Sequence, residues 1–361
     1  MTQLPNSLIS LILILFLISC GQTEEGGADE FRTEVERVGE LRLKNSSDGI
    51  WSMVRGTVSD EENEQIFGID YRSRRLYMIN VTTETISFIS DVGSGPGEFD
   101  RPNQIAVGEN GLIVNDLTSD RISMLDREGE LISDIEGTLS HGVWIRGTYS
   151  IYHSGTLISA MKDPQHVQLL DFEAARAISL FDLDSGELTK AGKFPENIDR
   201  LDAFQKFPLI AIDEKREQLY YVFSTLPDVM KLDLNSLESE LVSDYSPSFI
   251  RTRTIEVDYR DPRIQEVAFM RKLGADRSEL LGVFVLDDSF ISTWTNTTDH
   301  YFTSLDPADK EYFGVMYSLP EFEDPREFTL PGKPLGTYDG KLLILENDDP
   351  LNFVIGKYVI K

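Results

Sequence analysis

Six times along this chain the same pattern recurs: an apolar run, a short polar gap, a second alternating run, a turn, and a third run. "RLYMINVTTETISFIS" opens at Arg75, "GLIVNDLTSDRISMLDREGELI" at Gly111, and "TLISAMKD" at Thr156, the last continued by "AISLFDLDSGELTKAGKF" from Ala177. "QLYYVFSTLPDVMKLDLNSLESELV" follows at Gln218, a fifth unit runs from Ser289 to Leu319, and "KLLILENDDPLNFVIGKYVI" opens at Lys341. A unit that cannot bury its own apolar face must stack on its copies, so the repetition decides the fold before any single residue does. Within each unit the period is two, which argues for half-buried strands rather than helices. In "RISMLD", Ile122, Met124 and Asp126 share one face, while Arg121, Ser123 and Leu125 share the other. "DREGE" (Asp126 to Glu130) and "DLDSGE" (Asp182 to Glu187) place glycine where a hairpin turn needs positive φ.

Short strands, four to a repeat, predict an all-β chain: a six-bladed β-propeller of four-stranded antiparallel blades. The units are spaced unevenly, from 36 to about 71 residues, so blades three to five carry insertions. The last unit has three clear strands, and "TEVERVGELRL" (Thr33 to Leu43) alternates well enough to supply the fourth. A ring closed by this N-terminal strand has no exposed sheet edge at its seam.

Between the first two units stands "DVGSGPGEFDRPNQIAV" (Asp91 to Val107). A phosphate-cradling loop needs a helix after it, whereas Pro102 and "QIAVG" continue as a strand. The glycines are therefore expected to serve backbone geometry and close approach between blades. Gly93, Gly95, Pro96, Gly97, Glu98, Phe99, Pro102 and Ile105 follow the blade junction of the six-bladed propeller lipoproteins of Bacteroidota, a family akin to NHL repeats. The resemblance spans residues 45 to 361. It implies a propeller held at the cell envelope, and relatives of the NHL type include a lyase.

The leader fits that address. Leu8 to Ile18, "LISLILILFLI", is too short to span a bilayer and has the length of a signal-peptide core. "LISC" resembles a bacterial lipobox, with Cys20, the single cysteine of the chain, as the lipid-bearing residue. The alternative is a signal peptide cut elsewhere. "GQTEEGGADE" reads as a flexible acidic tether, and it also resembles the surface-export signal of Bacteroidota lipoproteins. The expected organisation is a signal peptide over 1–19, a lipid-anchored linker over 20–31, and the propeller over 32–361. The expected place is the outer membrane, on its periplasmic or surface-exposed side.

Charge narrows the function classes. With 34 Lys+Arg against 62 Asp+Glu the net charge is −28, which repels nucleic-acid backbones and disfavours adhesion to anionic lipid. His141, His153, His166 and His300 are scattered without metal spacing, and no hydrolase elbow is present, so no metal and no cofactor are expected. The leading reading is a non-catalytic binding protein for an envelope protein, peptide or glycan. The alternative is a metal-dependent propeller enzyme, lactonase- or lyase-like, with its site at the channel mouth. Residues 249–281 reverse the local charge and are expected to form a mobile flap. Within it "DPRIQEVAFMRKLG" reads as one short helix, with Asp261 as N-cap, Gly274 past its end, and Ile264, Val267, Ala268 and Leu273 as its apolar face. Arg260, Arg263 and Arg271 are its candidate donors to a carboxylate or sulfate. For the anchor, Cys20→Ser is expected to release the protein from membrane fractions after correct signal cleavage. Continued membrane association of that variant would overturn the lipid assignment.

Overall fold

The strands stack as separate sheets because each middle strand is apolar on both faces. The computed structural model describes residues 33–45, 54–137, 145–161, 171, 173–198, 207–255, 257, 261–298, 300–304, 309–349 and 352–361. All of these belong to one compact unit, Thr33–Lys361. The leader, the tether, Cys20, Arg260, His141 and His166 lie outside the described residues.

The N-terminal strand is β1 (Val35–Asn45), and the first meander comprises β2 (Val54–Asp60), β3 (Gln65–Asp70), β4 (Arg75–Asn80) and β5 (Thr85–Phe88). A short parallel pair, β6 (Asp91–Val92) and β7 (Glu98–Phe99), precedes the second sheet. That sheet is β8 (Pro102–Gly108), β9 (Gly111–Asp116), β10 (Arg121–Leu125) and β11 (Leu131–Glu136). The third is β12 (Ile145–His153), β13 (Thr156–Met161), β14 (Ile178–Asp182) and β15 (Leu188–Ala191). The fourth is β16 (Pro208–Asp213), β17 (Gln218–Phe223), β18 (Val229–Asp233) and β19 (Ser239–Ser243). The fifth is β20 (Glu279–Leu286), β21 (Ser289–Thr297), β22 (Lys310–Ser318) and β23 (Glu323–Leu330). Last come β24 (Lys333–Tyr338), β25 (Lys341–Asn347) and β26 (Phe353–Ile360).

Each group is an antiparallel meander of four strands, and the architecture is propeller-like. The last group gains its fourth strand from the other end of the chain. β1 pairs antiparallel with β26, from Val35 opposite Ile360 to Leu43 opposite Phe353. β1 also touches β5 in parallel through Lys44 and Asn45, which joins the last group to the first as one eight-stranded sheet.

Apolar layers fill the spaces between sheets. Phe67, Ile69 and Leu76 of the first sheet meet Ile105, Leu112 and Val114 of the second. Ile113 and Ile122 meet Leu157 and Phe181 of the third. Neighbouring residues on β17 face opposite ways: Tyr221 joins the layer shared with Ile158 and Ile178, while Tyr220 packs edge-on against Phe290 of the fifth sheet, 5.5 Å away. Ile291 and Phe328 meet Leu342 and Ile344, and Leu343 and Ile355 meet Ile66 and Tyr77 of the first sheet.

This double-sided packing corrects the expectation of half-buried strands. All six residues of β9 are buried, and both faces of "RISML" are covered except at half-buried Met124. Alternation survives only on outer strands such as β11, where half-buried and exposed positions take turns. In the first repeat the counterpart of the strand that opens the other five units is "QIFGID" at Gln65, the second strand, one strand before "RLYMIN". Residues 279–281, assigned to the insertion, are the start of β20.

The glycine-rich junction closes on itself. The Gly95 amide donates to the Glu98 carboxylate at 2.9 Å, and the Gly93 amide donates to the Phe99 carbonyl at 3.1 Å. A Cβ on Gly93 would collide with that carboxylate. The space beside these two glycines is thus taken by the chain's own carboxylate. Arg121 completes the junction: its guanidinium donates to the Gly95 carbonyl at 3.0 Å and to the Glu98 carbonyl, above the Phe99 ring. Gly97 sits at φ +72°, with no atom closer than 3.8 Å to the place of a Cβ. Gly97→Val is therefore expected to cost about 1–2 kcal/mol through the backbone alone, and Gly97→Asn less, since Asn tolerates this region. Equal losses in denaturant unfolding for the two variants would point to crowding instead.

Candidate functional site

In a four-stranded meander the first and third turns lie at one end of the sheet and the middle turn at the other. The first and third turns here are short and rich in carboxylates, and side chains join them from sheet to sheet. Arg127, in the third turn of the second sheet, binds Asp60 at the first turn of the first sheet, with Nε to Oδ2 at 2.6 Å. Tyr152 on β12 donates its hydroxyl to Glu109, in the β8–β9 turn, at 3.3 Å. His153 lies 2.9 Å from Glu217 of the fourth sheet, and Arg216 binds both Asp213 and Asp288 at 2.6 Å. The Asp339 amide of the last sheet donates to Glu61 of the first at 2.7 Å. One face is therefore a linked series of acidic turns.

Between the second and third sheets this face opens into a cleft of about 320 Å³. Its floor takes buried Ile113 and half-buried Met124 from the layer those two sheets share, together with Leu112 and Leu125, buried at the same end of the second sheet. Leu183 and the exposed Ile132 stand at its walls. The lip carries Glu109, Asp184 and Tyr152, drawn from three separate turns and strand ends. Burial first, then the negative charges of Glu109 and Asp184, push the Tyr152 phenol above its ordinary value. A phenol that feels both carboxylates keeps its proton and acts as a donor at the mouth.

Asp60 shows how such a turn tolerates a buried charge. Burial acts to raise its carboxyl, but hydrogen bonds from Asn63 and Arg127 outweigh it and hold the group below the usual aspartate range. Asp182, in the "DLDSGE" turn, is lowered first by the Ser185 hydroxyl and then by its amide. That turn is a hairpin with Gly186 at φ +72°, and it places Asp184 beside the cleft.

The basic insertion lies in the β19–β20 connection, at the opposite end of the sheets. Its base is tied to the fifth sheet: the Ser278 amide donates to the Arg251 carbonyl at 3.0 Å, and Phe249 stacks on Phe313 at 4.7 Å. Asp276 accepts the amides of Thr254 and Ile255, both at 2.7 Å. The expected single helix is two pieces, a 3₁₀ turn Pro262–Gln265 capped by Asp261 and a helix Val267–Ala275, separated by extended Glu266. Gly274 lies inside the helix rather than beyond it, where a Cβ would crowd Phe302. The apolar face differs too: Leu273 is buried, Ile264 half-buried, and Val267 and Ala268 exposed, because the helix seats by its C-terminal turn. Arg263 is held by Asp261 at 2.6 Å and lies over Phe269. Arg271 is exposed and has no ion pair among the described residues. The two described arginines of the candidate trio thus differ in availability.

Among the described residues no group of three or more His, Cys, Asp or Glu is placed to hold a metal ion. No described helix is long and apolar enough to cross a membrane. The sequence pointed to neither Glu109, Tyr152 nor Asp184, since no motif joins them; only the turn chemistry of their segments was visible.

No protein-family model matches the chain, and none of the curated proteins does. Solved structures share its fold. A member of the DUF4221 family from Bacteroides vulgatus superposes with a TM-score of 0.67 at 13% identity, over 92% of this chain and 99% of that one. A protein from Bacteroides fragilis described as exported gives 0.58 at 10% identity, over 91% and 95%.

Because Asp60 titrates below its unfolded value, its pairing stabilises the fold above the ordinary aspartate range, and that contribution is lost as pH falls through the lowered value. Arg127→Ala is expected to cost about 2–3 kcal/mol at neutral pH, less than for a fully buried pair because Arg127 is partly exposed. The gap to the parent in thermal melting should narrow on acidification. A gap independent of pH would assign the loss to packing.

Proposed function

We propose that the six sheets close into a ring, a six-bladed β-propeller that serves as a non-catalytic binding protein of the cell envelope. The innermost strands support closure: β2 contacts β8, and contacts continue through β12, β16, β20 and β24 back to β2. An outer-membrane lipoprotein anchored at Cys20 agrees with the short apolar leader, and the fold is shared with a Bacteroides protein described as exported. The observation that carries the binding reading is the cleft between the second and third sheets. It combines an apolar floor with a few converging polar groups, on strand ends and tight turns rather than on a long loop.

The insertion offers a second contact surface. Arg271 is its available donor for a carboxylate or sulfate on an envelope peptide or glycan; Arg263 already holds Asp261, and Arg260 lies outside the described residues. The metal-dependent enzyme reading needs several ligands converging on one ion. Among the described residues His153 pairs with Glu217 and His300 with Asp309, at separate places in the fold.

A photo-reactive side chain placed at Ile132 tests the reading in cells, with Leu241 as the control. The two are similarly exposed, 55% and 50%, but Leu241 lies on β19, away from the cleft. Adducts are expected from position 132 and not from 241, and Leu183→Trp, which fills the cleft, should abolish them. Equal labelling at both positions would overturn the assignment.

A further inference from the structure

We propose that the cleft selects an aliphatic chain ending in a cation, such as a lysine side chain or a free alkylamine. This rests on the binding reading and adds to it the chemical class of the ligand.

The lip is unbalanced in charge. Glu109 and Asp184 are exposed carboxylates, and neither has a cationic partner among the described residues. Arg127 comes near Glu109, with Nη2 3.4 Å from its main-chain carbonyl, yet its Nε is committed to Asp60. The Tyr152 hydroxyl is a neutral donor and cannot offset the two charges. An anionic ligand would meet two like charges here and the field of a chain of net charge −28. A neutral apolar ligand would use the floor and gain nothing from the lip.

An alkylammonium answers both parts. Its methylenes cover Ile113, Met124 and Leu183, and its three N–H donors match acceptors on Glu109 and Asp184. The volume of about 320 Å³ is at the lower end for ligand sites, and it suits one side chain with its adjoining backbone.

Calorimetric titration of the full-length protein at low ionic strength tests this with three probes: N-acetyl-lysine methylamide, its norleucine analogue and cadaverine. The lysine probe is expected to bind about five- to tenfold more tightly than the norleucine probe. That ratio should collapse toward one in the double variant Glu109→Gln, Asp184→Asn, and it should shrink in high salt. These exposed, isosteric changes should leave the melting temperature near that of the parent. Stronger binding of cadaverine than of the lysine probe would support a free amine as the source, and the reverse would support a peptide. Equal affinity for lysine and norleucine, an unaffected double variant, or no binding of either cation would overturn the proposal. The labelling at Ile132 is read separately, so the cleft can stand as a binding site when its cation preference fails.

Discussion

The fold rests on apolar layers that no sheet can complete alone. Tyr220 and Tyr221 make the point within two residues, since one ring belongs to the layer shared with the fifth sheet and the other to the layer shared with the third. Both side chains are fully buried, and a sheet deprived of either neighbour would expose one of them. Burial of a large side chain contributes roughly 1.5–3 kcal/mol, so each sheet stabilises the next far more than its own hydrogen bonds could. A single-cysteine chain can do without disulfides for this reason.

Some of this was written plainly in the sequence. The third and fourth strands of the second and third sheets are joined by tight turns with glycine where the turn needs it, at Gly129 and Gly186, both at positive φ. The first strands of the sheets were harder to see. Segments such as "PNQIAVG" and "KPLGTY" contain Pro and Gly and do not alternate, because each packs against the first strands of neighbouring sheets. The junction glycines were expected to serve backbone geometry, but the group that crowds them, the Glu98 carboxylate folded back onto Gly93 and Gly95, appears only in three dimensions. In the insertion, helical spacing suggested one apolar face. The break at Glu266 and the docking of Leu273 and Gly274 replaced it with another.

The candidate site was illegible for a different reason. Glu109, Tyr152 and Asp184 come from three turns or strand ends, and stacking of two sheets is what brings them together. Each alone is an ordinary turn residue. The stacking also sorts the charge: the short turns gather carboxylates at one end of the sheets, while the insertion with Arg251, Arg263 and Arg271 occupies the other.

The pairing of β1 with β26 has a consequence for the order in which the molecule can assemble. Val35 has no partner until Ile360 has been synthesised, and the last sheet stays one strand short for almost the entire length of translation. Contacts between the far ends of a chain form slowly, because the loop-closure entropy must be overcome before they give anything back. A chain of this design makes the pairing that joins its last sheet to its first only after β26 has been made, so five sheets can stack before the seam between the two ends is sealed.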